Sequence, residues 1–136
     1  MDTLDKVQRS ERMSRIRGRD TGPELRVRRL VHRLGFRFRL HRRSLPGCPD
    51  LVFPGRRKVI FVHGCFWHRH PDLGCKLARL PKSRLDFWIP KLDANRRRDI
   101  RDQAALVERG WEVLIIWECE LGDKEKLTRE IVNFLG

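Results

Sequence analysis

The chain has 136 residues, enough for one domain with a single hydrophobic core, so neither a disulfide nor a metal is obligatory for folding. Its 31 Lys and Arg residues outnumber its 18 Asp and Glu residues, and the formal net charge is +13. Such a charge favours a polyanionic partner, most often nucleic acid, over a basic surface that only confers solubility. No apolar run is long enough to span a bilayer, and no basic amphipathic helix with an aromatic face indicates a membrane surface.

The N-terminal segment 1–20 is polar and basic, and we interpret it as an arm preceding a single domain at 21–136. It lacks the apolar region of a secretory signal, so synthesis in the cytoplasm is expected. Cysteines are usually reduced there, so the four cysteines are interpreted as thiols or metal ligands rather than as a disulfide framework. Among them, Cys48 has no potential ligand close to it in sequence and is expected not to take part in metal binding.

The segment DTGPELRVRRLVHRLG has the start and stop signals of a helix. Asp20 or Thr21 can cap its first turn, Pro23 suits that turn, and Gly35 ends it. Four aliphatic residues at helical spacing predict its apolar face: Leu25, Leu30, Val31 and Leu34.

Four segments are predicted to form strands. The alternating FRFRL (36–40) predicts a half-exposed strand, and PDLVF (49–53) a short strand that turns at Pro54 and Gly55. The continuous apolar runs KVIFVHG (58–64) and WEVLIIWE (111–118) are typical of buried central strands.

Two further helices complete the predicted fold. One spans Pro90–Arg109 and ends at Gly110, and the other follows a cap at Asp123. The first three strands can form an antiparallel meander, and the helical crossover to the last strand then makes the sheet mixed. The predicted fold class is α/β, a single domain with helices flanking a mixed sheet.

The segment FVHGCFWHRHPDLGC (61–75) concentrates metal ligands. Cys65, His68, His70 and Cys75 fall within eleven residues, and thiolate with imidazole is the ligand set that zinc prefers. Because Cys119 follows a buried strand, where this loop could meet it, the preferred set is Cys65, His70, Cys75 and Cys119. The alternative is a set of ordinary buried thiols with surface histidines.

Asp50 opens a predicted strand in LPGCPDLVF. A Pro-Asp pair at a strand start, with functional residues at the end of the next strand, is the layout of PD-(D/E)xK nucleases. The alternative is turn chemistry, in which Asp after Pro is common. The usual Glu-x-Lys is absent, because the next strand ends in FVHG.

These motifs resemble those of the very-short-patch-repair (Vsr) mismatch endonucleases. They occur in the family's order: RDT with a Glu shortly after it, SLPGCPDLVF, VIFVHGCFWHRH, LDFWIPKLDANRRRD and GWEVLIIWECE. They cover roughly residues 10 to 120, and HGCFWH together with WEC is highly specific. The resemblance implies a restriction-endonuclease-like α/β fold with a structural Zn²⁺, in agreement with the elements and ligands above.

The resemblance also implies a catalytic Mg²⁺. Asp50 matches the carboxylate that holds it, and the second protein ligand is the backbone carbonyl of Val62. The family often has Thr there, but a main-chain ligand does not need the hydroxyl, so metal binding is expected to survive. Four residues match the family's zinc ligands: Cys65, His70, Cys75 and Cys119. The spacer PDLG in this loop is longer than the family's.

The implied proton-transfer residues are a histidine and its carboxylate partner. His68 matches the proposed general base, and Asp99 the carboxylate that orients it. His63 matches a second active-site imidazole, and Glu24 a further acidic residue near the site. An imidazole of near-neutral pKa suits this chemistry. In the alternative interpretation, His68 is a spare histidine of the zinc loop and Asp99 is a solvated charge on a helix.

Three aromatic residues have two interpretations, as core residues or as a wedge that unstacks DNA bases: Phe66, Trp67 and Trp88. The resemblance implies the wedge. It further implies DNA contacts by Met13, Lys91 and Asn95. Trp111 and Trp117 are interpreted as core.

The predicted function is a Mg²⁺-dependent endonuclease that nicks one DNA strand beside a T:G mismatch, the product of 5-methylcytosine deamination. Alternatives are a related nuclease with another mismatch or sequence preference, and a zinc-stabilised DNA-binding module without activity. We expect a monomer in the bacterial cytoplasm, at the nucleoid, with mismatch-repair proteins as accessory partners.

Overall fold

The computed structural model describes residues 21–72 and 74–136. The predicted basic arm, with Met13, lies outside the described residues. The described elements are α1 (Gly22–Arg33), β1 (Arg39–Leu40), β2 (Leu51–Phe53), β3 (Lys58–His63), α2 (Leu85–Glu108), β4 (Glu112–Trp117) and α3 (Lys124–Leu135). The predicted order of helix, three strands, helix, strand and helix is confirmed.

The four strands form one mixed sheet in the order β1-β2-β3-β4. The first three are antiparallel neighbours, and β4 pairs with β3 in parallel after the α2 crossover. The predicted α/β class and the meander are therefore confirmed. In the parallel register His63 lies opposite Trp117, so the chain leaves β3 and β4 at the same edge of the sheet.

Helices cover both faces of the sheet. Side chains alternate along a strand, and in β3 Ile60 packs in one core cluster while Val59 and Phe61 pack in the other. The first cluster receives side chains from α1 and α3, and the second receives Leu106 of α2 and Trp111. Burial of β3 on both faces explains its continuous apolar sequence.

The start of α1 follows its sequence signals, whereas its buried face is rotated from the predicted one. Thr21 Oγ1 accepts a hydrogen bond from the amide of Glu24 at 3.3 Å, which selects Thr21 as the cap. Leu25 is only half-buried, and the buried positions include Glu24 and Val27. The buried carboxylate has polar partners inside the fold, and these partners allow Glu24 to face inward.

Two element boundaries differ from the prediction. β1 contains only Arg39 and Leu40, because only these residues pair with β2, while Phe36 and Phe38 pack on the core. Helix α2 begins at Leu85, with Pro90 inside it. Proline removes one backbone donor there, but its position is exposed and water can satisfy the freed carbonyl. Among the described helices, none is both long and apolar enough to cross a membrane.

Candidate active site

One pocket of about 250 Å³ collects most of the predicted catalytic residues. Its lining includes Asp50, Val62, His63, His68 and Asp99. They come from the start of β2, the end of β3, the loop that follows β3, and the middle of α2. The sheet register and the α2 crossover therefore bring together residues that are far apart in sequence.

Asp50 is held against the backbone of β3. Its Oδ2 accepts a hydrogen bond from the Val62 amide at 2.7 Å. The amide and carbonyl of one strand residue point toward the same neighbouring strand, so the Val62 carbonyl also lies on the Asp50 side of β3. A carboxylate with a main-chain carbonyl is a hard-oxygen donor set that fits Mg²⁺.

Burial raises the pKa of Asp50 to about 7, although the hydrogen bond from the Val62 amide acts in the opposite direction. The nearby Glu24 raises the pKa further, and the Arg28 guanidinium lowers it. A carboxyl with a pKa this high is only partly ionised near neutral pH. A bound cation would stabilise the charged form.

Glu24 lies behind Asp50 with its side chain only 2% exposed. Its Oε1 accepts a hydrogen bond from Arg28 Nη2 at 2.6 Å and another from Nε2 of His41. The same imidazole nitrogen is 3.8 Å from Asp50 Oδ1. His41 therefore joins the two carboxylates, and the sequence interpretation had not assigned it a role.

The predicted base has its predicted partner. His68 Nδ1 lies 2.5 Å from Asp99 Oδ2, and a carboxylate can only accept, so Nδ1 carries the hydrogen. The imidazole of His63 is stacked on that of His68, with ring centroids 3.9 Å apart. This pairing leaves Nε2 of His68 as the nitrogen with a free lone pair.

His63 is 4% exposed. Burial, and then the neighbouring His68, lower the pKa of His63 to about 3, so this imidazole is neutral at physiological pH. Its Nδ1 is buried and has no hydrogen-bond partner among the described residues. A buried polar atom without a partner is unusual in a native fold and indicates a site for water or a substrate oxygen.

The second cluster contains the four predicted zinc ligands. One ligand atom from each of Cys65, His70, Cys75 and Cys119 lies within 4.8 Å of the others. Cys65 and Cys119 each stand two residues beyond the paired His63 and Trp117, so the parallel register brings them together. A tetrahedral Zn²⁺ with ligands at about 2.0–2.3 Å fits such a group.

The loop between these ligands turns tightly. The amide of His68 donates to the Gly64 carbonyl at 3.1 Å, and the amide of His70 donates to the Cys65 carbonyl at 2.9 Å. Trp117, interpreted from sequence as core, is instead half-buried and stacks on His70 with centroids 4.2 Å apart. Cys48 is not part of this cluster, and it lines the pocket around Asp50.

The predicted wedge residues pack on one another. Trp67 lies 5.1 Å from Phe66 and 6.0 Å from Trp88 between ring centroids, and all three are half-buried. None belongs to either core cluster. Phe87, which the sequence interpretation did not single out, extends this group: its centroid is 5.0 Å from that of Trp88 and it is 44% exposed.

Two polar residues of α2 support this aromatic group. The ammonium of Lys91 lies 5.9 Å from the Trp67 and Trp88 centroids and 5.6 Å from that of Phe87. Asn95 Nδ2 donates to the Trp67 carbonyl at 3.2 Å. In the protein alone, both predicted DNA-contacting side chains are thus directed at the aromatic group.

Comparison with protein families identifies the chain. A family model described as DNA mismatch endonuclease Vsr matches residues 1–73, more than half of the 136 residues. The chain belongs to the Vsr family. The resemblance inferred from the motifs is confirmed, and the chain is a DNA endonuclease.

Curated relatives extend the Vsr match over nearly the whole chain. The type II nicking enzyme V.XorIIP of Xanthomonas oryzae pv. oryzae is 53% identical over 98% of this chain and 96% of its own length. The DNA mismatch endonuclease Vsr of Escherichia coli K12 is 48% identical over 97% of this chain and 83% of its own length.

A solved structure also resembles this Vsr-family chain. The catalytic domain of the homing endonuclease I-Bth0305I gives a TM-score of 0.57 at 21% identity, covering 85% of this chain and 94% of the other. At this identity the likeness concerns the fold alone. It agrees with the predicted restriction-endonuclease-like architecture.

Proposed function

We propose that this Vsr-family endonuclease nicks one strand of duplex DNA beside a T:G mismatch in a Mg²⁺-dependent reaction. The main support is the pocket, in which a hard-oxygen donor set and a carboxylate-oriented imidazole face the same space. Phosphodiester hydrolysis needs both a site for a hard cation and a general base. Relatives named as a mismatch endonuclease and as nicking enzymes support the substrate.

His68 acts as the general base in this proposal. Asp99 fixes the hydrogen on Nδ1 and the ring orientation, so Nε2 can take a proton from the attacking water. His63 stays neutral and stacked against it, which holds the ring of His68 in place. Nδ1 of His63 is buried without a partner among the described residues, and a hydrogen bond to the water or to a phosphate oxygen would satisfy it once substrate binding opens access to it.

Asp50 and the Val62 carbonyl would hold Mg²⁺, with Glu24 behind Asp50. When bound, the ion stabilises charge on the phosphate and on the leaving oxygen. Glu24 accepts a hydrogen bond from Arg28 inside the fold and lies behind Asp50 through their shared neighbour His41.

A structural Zn²⁺ held by Cys65, His70, Cys75 and Cys119 would rigidify the loop that carries Phe66, Trp67 and His68. Four protein ligands leave no open position on a tetrahedral ion, so this site is suited to structure rather than to catalysis. The loop can then present Phe66 and Trp67 to DNA at a fixed distance from the proposed general base, His68.

The aromatic group supports mismatch selection. A T:G pair stacks less well than a Watson–Crick pair, so it costs less to open when Phe66, Trp67 and Trp88 insert beside it. Lys91 and Asn95 would contact bases once these rings have moved into the stack. Met13, outside the described residues, is proposed to insert as well.

The enzyme is further proposed to act as a monomer at the bacterial nucleoid, with mismatch-repair proteins as accessory partners. The module without activity is set aside, because the chain belongs to an endonuclease family. A nuclease of different mismatch or sequence preference remains the second candidate, since several relatives are named only as nicking enzymes.

The test is a nicking assay with added Mg²⁺ on T:G, other-mismatch and matched duplexes of one flanking sequence. We expect cleavage of one strand of the T:G duplex alone, and none by Asp50→Ala, which should keep its fold. Equal cleavage of all duplexes would contradict mismatch selection. Cleavage without Mg²⁺, or by Asp50→Ala, would contradict the metal site.

A further inference from the structure

His41 is a polar residue of the candidate catalytic pocket to which neither the motifs nor the family comparison assigns a role. It lines the pocket with Asp50 and His68, and its side chain is 10% exposed. Its Nε2 hydrogen-bonds Glu24 Oε1 and lies 3.8 Å from Asp50 Oδ1. Asp50 uses its other oxygen for the Val62 amide, so His41 stands at the oxygen left for a cation.

The backbone at His41 is held in an unusual conformation. The amide of His41 donates to the Asp50 carbonyl at 3.4 Å, which extends the β1–β2 pairing by one step. Its φ of +44° lies in the left-handed region, where histidine, like asparagine and aspartate, occurs more often than most other non-glycine residues.

His41 is not suited to bind a cation directly. Its Nε2 carries a hydrogen because its partner is a carboxylate, so this nitrogen has no lone pair to offer. The guanidinium of Arg28 also lies 3.4 Å from the same nitrogen, so this nitrogen is already surrounded by side chains. The contribution of His41 must therefore pass through Glu24 and Asp50.

We propose that His41 is a positioning residue of the metal site: by holding Glu24 beside the free oxygen of Asp50, it sets the affinity for the divalent cation. This inference rests on the proposed function. Partners of metal-binding carboxylates typically change metal affinity by roughly 10–100-fold when removed. The chemical step should change less, because His68 and Asp99 stay in place.

The test measures cation binding without relying on cleavage. Mn²⁺ is titrated into the zinc-loaded protein, and the unbound ion is followed by electron paramagnetic resonance, with Asp50→Ala as the blank. His41→Gly removes the imidazole and relieves the positive φ, but it also removes a donor to the buried Glu24, so thermal melting first establishes that the variant is folded. His41→Gln restores a donor for Glu24. His32→Gly makes the same substitution at an exposed position in the last turn of α1.

We expect His41→Gly to weaken Mn²⁺ binding by at least about tenfold, His41→Gln to recover part of it, and His32→Gly to match the wild type. The Mg²⁺ concentration for half-maximal nicking should rise in parallel, while the rate at saturating Mg²⁺ stays close to normal. If folded His41→Gly binds Mn²⁺ as tightly as the wild type does, the inference about His41 is wrong and the proposed metal site is unaffected. A wild type that binds no more Mn²⁺ than Asp50→Ala overturns the proposed metal site with it.

Discussion

Two clusters of polar side chains lie at the same edge of the sheet, and they differ in chemistry and in surroundings. The cluster of Cys65, His70, Cys75 and Cys119 offers soft ligands, and one of its members is exposed. The pocket around Asp50 offers oxygen ligands beside buried Glu24 and His63. The β3 strand leads into both, since His63 and Cys65 are two residues apart. One strand end therefore leads into both a set of soft ligands and a pocket of oxygen donors, and the two sets share no residue.

Removal of a thiol should have the largest effect on the fold. Cys65→Ser is expected to lose Zn²⁺ and to destabilise the protein strongly, because structural zinc sites contribute on the order of 10 kcal/mol in zinc-finger peptides. Metal analysis and thermal melting measure both effects. Cys48→Ser is the matched control and should keep its zinc. A wild-type protein purified without zinc would refute this assignment.

A variant in the pocket should instead lose activity while it keeps its zinc and its fold. His68→Ala is expected to nick DNA roughly 10²–10⁴-fold more slowly, because a positioned general base is removed. Single-turnover cleavage, zinc content and DNA affinity should be measured together, and the last two should stay near wild type. Loss of zinc in this variant would make His68 a ligand and would shift the assignment of His70.

The pocket should also carry a stability cost that depends on pH. The pKa of Asp50 is about 7 in the folded state, above its ordinary 3.8, so folding favours the protonated carboxyl. The stability that the fold gains from the protonated carboxyl is fully present below the ordinary pKa and is lost as the pH rises through 7. Asp50→Asn should therefore melt higher than the wild type at pH 8 without added Mg²⁺, and the difference should shrink toward pH 4. A difference that does not vary with pH would show that the raised pKa is wrong.

The pocket wall depends on the close approach of a loop to α2. Gly47 has a φ of +75°, and an added Cβ would lie 3.1 Å from the Cβ of Asp102 and from the ring of Phe61. We expect Gly47→Ala to lower the free energy of unfolding by about 1–3 kcal/mol in denaturant titrations. Gly55→Ala, which meets nothing within 4 Å, is the control and should change little.

The aromatic group should affect selectivity more than stability. Trp67→Ala is expected to reduce the preference for T:G over matched duplex, because opening the weaker pair would no longer be coupled to insertion. General affinity should change less, since phosphate contacts dominate it. Binding to both duplexes is measured at one fixed salt concentration, with melting alongside. A variant that melts several degrees lower yet keeps its preference would show that Trp67 is a core residue.

Local patterns in the sequence were sufficient for the elements and for much of the candidate site. Caps, glycine stops and apolar runs are read within a few residues, so the order of elements and the mixed sheet were predicted correctly. The sequence also pointed to the four residues that the structure brings together, Cys65, His70, Cys75 and Cys119, because thiols and imidazoles are rare; that they bind Zn²⁺ stays a prediction. The roles of the individual site residues stay predictions.

Long-range packing decided the rest. His41 carries no local signal, and only its pairing opposite Asp50 and its contact with Glu24 reveal it. The inward turn of Glu24 and the stacking of Trp117 on His70 likewise depend on partners far along the chain. The early start of α2 overrode the local preference of Pro90. The sequence by itself determined which chemistry the chain can offer, and tertiary packing decided which side chains meet, because a buried polar group is stable only where distant residues satisfy it.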